Sequence, residues 1–132
     1  MANKEYIQKN KEWLIEKSHE EGILQLPKGI LYKVIKEGNA NGLQPTARSI
    51  VTVHYTGKTI DGKGFDSSEG GCPLAIRMNE LITGWIIALQ RMHVGDKWEI
   101  YLPAEMGYGK LSLPDIPGGS TLIFEIELIG VA

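Results

Sequence analysis

The run STLIFEIELIGV, residues 120–131, narrows the possible folds of this chain more than any other segment. Leu122, Phe124, Ile126 and Leu128 alternate with Ile123, Glu125, Glu127 and Ile129, so one face of the predicted strand is wholly apolar and the other half polar. A strand of this kind belongs to a sheet with one face on a core. ILYKVIKEG, SIVTVHYTG and KWEIYLP carry the same β-branched and aromatic character. Only NELITGWIIALQRM interrupts the strands with helical spacing, through Leu81, Ile82, Trp85, Ile86 and Leu89. Gly84 weakens its interior, which limits the predicted helix to Thr83–Gln90. One short helix among strands, without βαβ alternation, predicts an α+β fold with an antiparallel sheet and Trp85 held between helix and sheet.

At 132 residues the chain is expected to be one domain. Its apolar fraction of 42% suffices for a core rather than disorder. The net charge is −2 and the basic residues are dispersed, so no stripe tracks a phosphate backbone and nucleic acid is not an expected partner. The single cysteine, Cys72, has no internal partner for a disulfide. No apolar run approaches the length that spans a bilayer, and MANKEYIQKNKEWLIEKSHEEG carries none long enough for a signal peptide. The expectation is a cytoplasmic protein without membrane contact, or a periplasmic one had an export signal been removed.

Residues 3–21 lack Gly and Pro and are rich in Lys, Glu and Gln, which predicts a helix stopped near Gly22. Tyr6, Ile7, Trp13 and Leu14 form a narrow apolar stripe that would dock on the domain or self-associate with another copy. This segment, 1–22, is read as a helical appendage to a domain of residues 23–132.

Familiar catalytic constellations are missing. His19, His54 and His93 have no HxH or HExxH spacing, so no metal site is expected, and no GxSxG elbow or phosphate-binding loop occurs. GKGFDS starts like a GxG motif but lacks the third glycine and opens no helix. What remains is a set able to line a concave face: Tyr55, Phe65, Ile76, Leu81, Ile82, Trp85, Tyr108, Ile116 and Phe124. A plain core accounts well for Leu81, Trp85 and Phe124. It accounts less well for Phe65, Tyr108 and Ile116, which are read as loop residues in TIDGKGFDSSEGGCPLAI and GYGKLSLPDIPGGS. Together they would make an apolar slot with two polar handles, Asp66 and the Tyr108 hydroxyl.

VTVHYTGKTIDGKGFDSS, ELITGWIIAL, VGDKWEIYLPAEMGYG and STLIFEIELIGV, in this order and spacing, resemble the FKBP-type peptidyl-prolyl cis–trans isomerases. The likeness runs from about Gly29 to Val131. With its helical start and LPKGILYKVIKEG, the chain is similar to bacterial members of the macrophage infectivity potentiator type. The resemblance implies a curved antiparallel half-barrel sheet wrapped around one short helix, and an isomerase that needs no cofactor. It also implies a proline pocket with Trp85 as floor, Tyr55, Phe65, Leu81, Ile82 and Phe124 as walls, and Ile116 on an overhanging loop. Tyr108 would donate a hydrogen bond to the ligand, and Asp66 would face the substrate carbonyl. Proline-containing peptides, unfolded proteins and macrolide inhibitors of the rapamycin class are the implied partners.

The sequence departs from the family pattern at three places. Ile76 stands where members usually carry Phe. The stretch from Phe65 to Pro73 is one residue short and lacks the Arg that commonly tethers the rim aspartate, which leaves Asp66 without its usual anchor. Ile86 and Ile87 replace helix positions that are often polar, and two adjacent residues cannot both face a pocket. These departures keep a second reading open, that of a proline-segment binding module or folding chaperone with incidental isomerase activity.

Overall fold

The computed structural model describes residues 3–132. Helix α1, Lys4–Ser18, is followed by strands β1 (Leu24–Gln25), β2 (Leu31–Lys36), β3 (Ile50–Lys58), β4 (Gly64–Ser67) and β5 (Leu74–Arg77). Helix α2, Thr83–Leu89, then precedes β6 (Lys97–Leu102) and β7 (Leu122–Val131). The seven strands form one open antiparallel sheet in the order β1-β2-β6-β7-β3-β4, with β5 also paired to β3. The predicted α+β class and the single short helix against the sheet are both present.

The alternation in β7 decides where the two helices lie. Leu122, Phe124, Ile126 and Leu128 are buried in the main core with Trp85, Ala88 and Leu89 of α2. Ile123 belongs instead to a second cluster with Leu31 and Tyr101, against which Trp13 and Leu14 of α1 pack. Successive side chains of a strand face opposite sides. Helices α1 and α2 therefore cover opposite faces, and a sheet expected to be covered on one side only has a small second core under α1.

Helix α1 starts where Asn3 Oδ1 accepts the Glu5 and Tyr6 N–H groups, at 2.8 and 3.3 Å. Glu5 in the first turn and Lys17 in the last complement the helix dipole. The helix ends at Ser18, four residues before the predicted glycine stop. Trp13 meets Tyr101 at a centroid distance of 5.8 Å, and the Lys17 ammonium lies 5.1 and 5.2 Å from the two ring centroids. The predicted apolar stripe is thus docked on its own domain.

One expectation is corrected along GFDS. Phe65 sits on strand β4 rather than in a loop, and Ile76 lies on β5, because β3 is long enough to pair with both. Residues as unfavourable to strands as Gly64 and Asp66 are recruited by pairing Thr56 with Ser67 and Gly57 with Asp66. Ile86 and Ile87 both pack partly buried on the main core, and neither reaches the cleft described below.

Gly84 has a packing reason to be glycine. A Cβ there would overlap the side chain of Leu102, which is fully buried and has no room to retreat. Gly84→Ala should therefore destabilise the fold by about 1–2 kcal/mol, the overpacking cost exceeding the gain in helix propensity. Urea denaturation of the two proteins checks this, and a more stable variant would show that helix and sheet are not in close contact.

Candidate active site

Helix α2 is too short to persist alone, and its place is fixed by burial. Trp85 is 4% exposed and meets Tyr55 of β3 and Phe124 of β7 edge-to-face, at 5.2 and 5.1 Å. Phe65 of β4 completes the run against Phe124, at 5.5 Å and nearly perpendicular. These are favoured aromatic arrangements, and together they stand the ring edges around the indole. Gly57 makes room for them: a Cβ there would come within 2.7 Å of both Phe65 and Phe124.

Above this group lies a cleft of about 400 Å³. Tyr55, Phe65 and Phe124 form one side, Leu81 and Ile82 lead into α2, and Ile76 enters from β5. The segment 107–120 closes the other side with Tyr108 and Ile116. Ile116 is buried and shares a two-hydrogen-bond bridge with Leu113, at 2.9 and 3.1 Å. The sequence-predicted lining residues, Asp66 included, all meet in this one cleft.

Leu74, Glu80, Leu113, Pro114 and Asp115 also line it and were missed. Leu74 shares a strand face with Ile76 two residues on, a period-two signal hidden by the loop reading. Leu113 and Pro114 fall inside a segment already marked by its length. Glu80 and Asp115 gave no sequence signal. Asp115 lies 3.8 Å from the Lys63 ammonium at the exposed rim.

The untethered Asp66 expected from the missing Arg is corrected. The Tyr55 hydroxyl donates to Asp66 Oδ2 at 2.8 Å, and the Ser67 N–H donates to Oδ1 at 2.9 Å. Tyr55 is itself fixed from behind, since its N–H donates to Ser68 Oγ at 2.8 Å. Burial, reinforced by the hydrogen bond and negative charge of Asp66, pushes the Tyr55 phenol up to about 12. Tyr55 therefore stays a donor throughout the ordinary pH range.

Among the described residues no cluster of three or more His, Cys, Asp or Glu side chains could hold a metal ion. The Trp85 indole Nε1 is the one buried side-chain polar atom among them without a hydrogen-bond partner. An unpaired buried donor costs about 1–3 kcal/mol, and here that cost falls at the floor of the cleft. The arrangement can enclose a small apolar ring, with the oriented Asp66 carboxylate and the phenols of Tyr55 and Tyr108 at its edge.

Residues 42–129 match the family model described as FKBP-type peptidyl-prolyl cis-trans isomerase. The chain is 43% identical over 121 residues to the FKBP-type 22 kDa peptidyl-prolyl cis-trans isomerase of Escherichia coli, covering 90% of this chain and 58% of that protein. It is 45% identical over 112 residues to the outer membrane protein MIP of Legionella longbeachae, covering 83% and 47%. The chain thus spans about half the length of these curated relatives. Among solved structures, a peptidyl-prolyl cis-trans isomerase from Pseudomonas syringae pv. tomato superposes with a TM-score of 0.91 at 34% identity, covering 100% of this chain and 98% of its own. A family match over most of the sequence and a fold shared from end to end agree with the cleft: the chain belongs to the FKBP-type peptidyl-prolyl cis–trans isomerases.

Proposed function

We propose that this protein accelerates cis–trans rotation about X–Pro bonds and so assists protein folding, with the cleft over Trp85 as its catalytic site. The observation that carries the reading is an indole floor met edge-to-face by Tyr55 and Phe124, with Phe65 against Phe124 and the anchored Asp66 carboxylate at the rim.

Rotation about an amide costs about 18–20 kcal/mol because resonance across C–N is lost. For X–Pro the cis form lies only about 0.5–1 kcal/mol above trans, so both isomers are populated and exchange over tens of seconds or longer. Reaching milliseconds requires about four decades, or 5–6 kcal/mol. No nucleophile is needed. The twisted amide has a less polar carbonyl than the planar one, so a dry apolar slot disfavours it less.

In this reading the prolyl ring rests on Trp85, between Tyr55, Phe65, Leu81, Ile82 and Phe124. Ile76 extends the wall and Ile116 overhangs it. The Tyr108 hydroxyl donates to the substrate backbone, and Asp66, oriented by Tyr55, faces the carbonyl. The substrates are proline-containing peptides and unfolded chains, and macrolides of the rapamycin class would compete for the same cleft.

Residues 23–132 hold every cleft residue, and 1–22 is an accessory segment whose helix α1 docks on the sheet. Self-association through α1 would use its outward side, where Ile15 is 60% exposed, because Trp13 and Leu14 face the sheet. No described helix is long and apolar enough to cross a membrane. The relative named as an outer membrane protein supports the exported alternative over the cytoplasmic expectation.

A protease-free isomerase assay on a short X–Pro peptide, with and without a rapamycin-class macrolide, tests the assignment. Acceleration blocked by the macrolide is expected, whereas binding without acceleration would make the domain a recognition module. Phe65→Ala should lower turnover by at least about tenfold while destabilising the fold by less than the roughly 3–5 kcal/mol of a true core truncation, because the ring is only half-buried. Unchanged turnover would reduce Phe65 to a packing residue.

Asp66→Ala should slow turnover about tenfold, equivalent to about 1.4 kcal/mol of barrier. Tyr55→Phe should cost a similar factor, and the double variant little more, because one acts through the other. Additive losses would separate them.

The Tyr55 pKa also carries a sign. Its folded value lies above that of a free phenol, so the neutral form is favoured by folding. That contribution is complete below about pH 10 and is lost as pH rises through about 12. Absorbance titration of tyrosinate should show two late-ionising phenols, Tyr55 and the buried Tyr101, of which only the Tyr55 one disappears in Tyr55→Phe, with no Tyr55-linked change in turnover below about pH 10.

A further inference from the structure

The segment 107–120 carries Tyr108 and Ile116 over the cleft, yet its own hydrogen bonds tie it mainly to itself. Gly109 N–H donates to Ala104 O at 2.7 Å, Gly119 N–H to Gly109 O at 2.8 Å and Gly118 N–H to Ser112 Oγ at 3.0 Å. These bonds close it into a hairpin-like flap, with Ile116 seated in the main core at its cleft side. Its return limb, Gly118–Thr121, is buried. Helix α1 provides much of that cover.

Three residues of the helix, Tyr6, Ile7 and Asn10, hold the limb. The Ile7 side chain lies so close to Gly119 that a Cβ there would overlap it. Ser120 Oγ donates its single proton to Pro117 O at 2.6 Å, so the Tyr6 hydroxyl, 2.7 Å away, is the donor in the Tyr6–Ser120 bond. Pro117 follows Ile116 directly, so this relay ends one residue from the overhanging side chain. Asn10, at 1% exposed, is the fully buried side chain of α1. Its Oδ1 accepts the buried Thr121 N–H at 2.8 Å, and its Nδ2 is anchored on Tyr6 O at 2.8 Å.

We infer that Tyr6 and Asn10 are positioning residues: through Ser120–Pro117 and Thr121 they set the height of the flap above Trp85, making α1 part of the substrate-binding apparatus. The inference rests on the X–Pro reading of the cleft. The helix touches no substrate and acts only through the flap. An appendage would be idle in small-peptide turnover, whereas a brace is not. The paired contacts also explain why a buried asparagine occurs in this helix, since Thr121 N–H would otherwise be buried without an acceptor.

The test uses the full chain and the variants Tyr6→Phe, Ser120→Ala and Asn10→Ala, read by isomerase kinetics and by amide hydrogen exchange. For Tyr6→Phe, KM for a short X–Pro peptide should rise roughly threefold to fivefold, the worth of one hydrogen bond, with kcat nearly unchanged. Exchange should quicken at Gly118, Gly119 and the Leu113–Ile116 bridge while amides of β3, β6 and β7 keep the parent rates. Tyr6→Phe combined with Ser120→Ala should add little to Ser120→Ala alone.

Unchanged KM and unchanged flap exchange would overturn the inference. So would equal acceleration of flap and sheet amides, which would make α1 a general stabiliser. If the parent lacks turnover, the functional reading fails, and the flap exchange rates still decide the positioning. Should Asn10→Ala not fold, Tyr6→Phe, which loses a single oxygen, carries the test.

Discussion

The burial of Trp85 between α2 and the sheet does two jobs that most proteins assign to different residues. As a core residue it holds a seven-residue helix that propensity would not sustain. As a surface residue it is the floor of the cleft. The two roles are compatible because the cleft is the part of the main core that the chain leaves unfilled. Tyr55, Phe65, Ile76, Leu81, Ile82 and Tyr108 are partly buried residues packed against that same core. Their rotamers are held by the packing that stabilises the fold, which is what a preorganised apolar site requires. The unpaired indole N–H is the local cost of this arrangement.

The oriented carboxylate of the cleft rests on one strand pair. Tyr55 on β3 reaches Asp66 on β4 because the antiparallel register sets Thr56 opposite Ser67 and Gly57 opposite Asp66. A tyrosine thereby takes over an anchoring role that the resemblance assigned to an arginine. The substitution changes the chemistry: a neutral donor orients the carboxylate without cancelling its charge, so the rim keeps its negative field.

The parts legible in the sequence were those with long, uninterrupted periodicity. β2, β3, β6 and β7 announced themselves by alternation, and α2 by its spacing. β4 and β5 did not, since four residues such as GFDS carry too little pattern and owe their strand character to β3. The cleft set was legible because aromatic and aliphatic residues in a glycine-rich stretch have few other uses. Two features were not. The Tyr55–Asp66 bond depends on a register that the ten intervening residues do not reveal. Asn10 reads as a solvated helix residue, and only the limb packed above it makes it buried.

The placement of β7 has a consequence for synthesis on the ribosome. The last strand of this sequence is an interior one, hydrogen-bonded to β6 on one side and β3 on the other. Until it emerges, β3 and β6 are two raw edges presenting Val51, Val53 and Ile100, all fully buried in the finished protein. Phe124 arrives with it and supplies the missing wall of the cleft. A nascent chain halted before residue 122 therefore has neither a continuous sheet nor a complete cleft, and it exposes the surfaces on which aggregation begins.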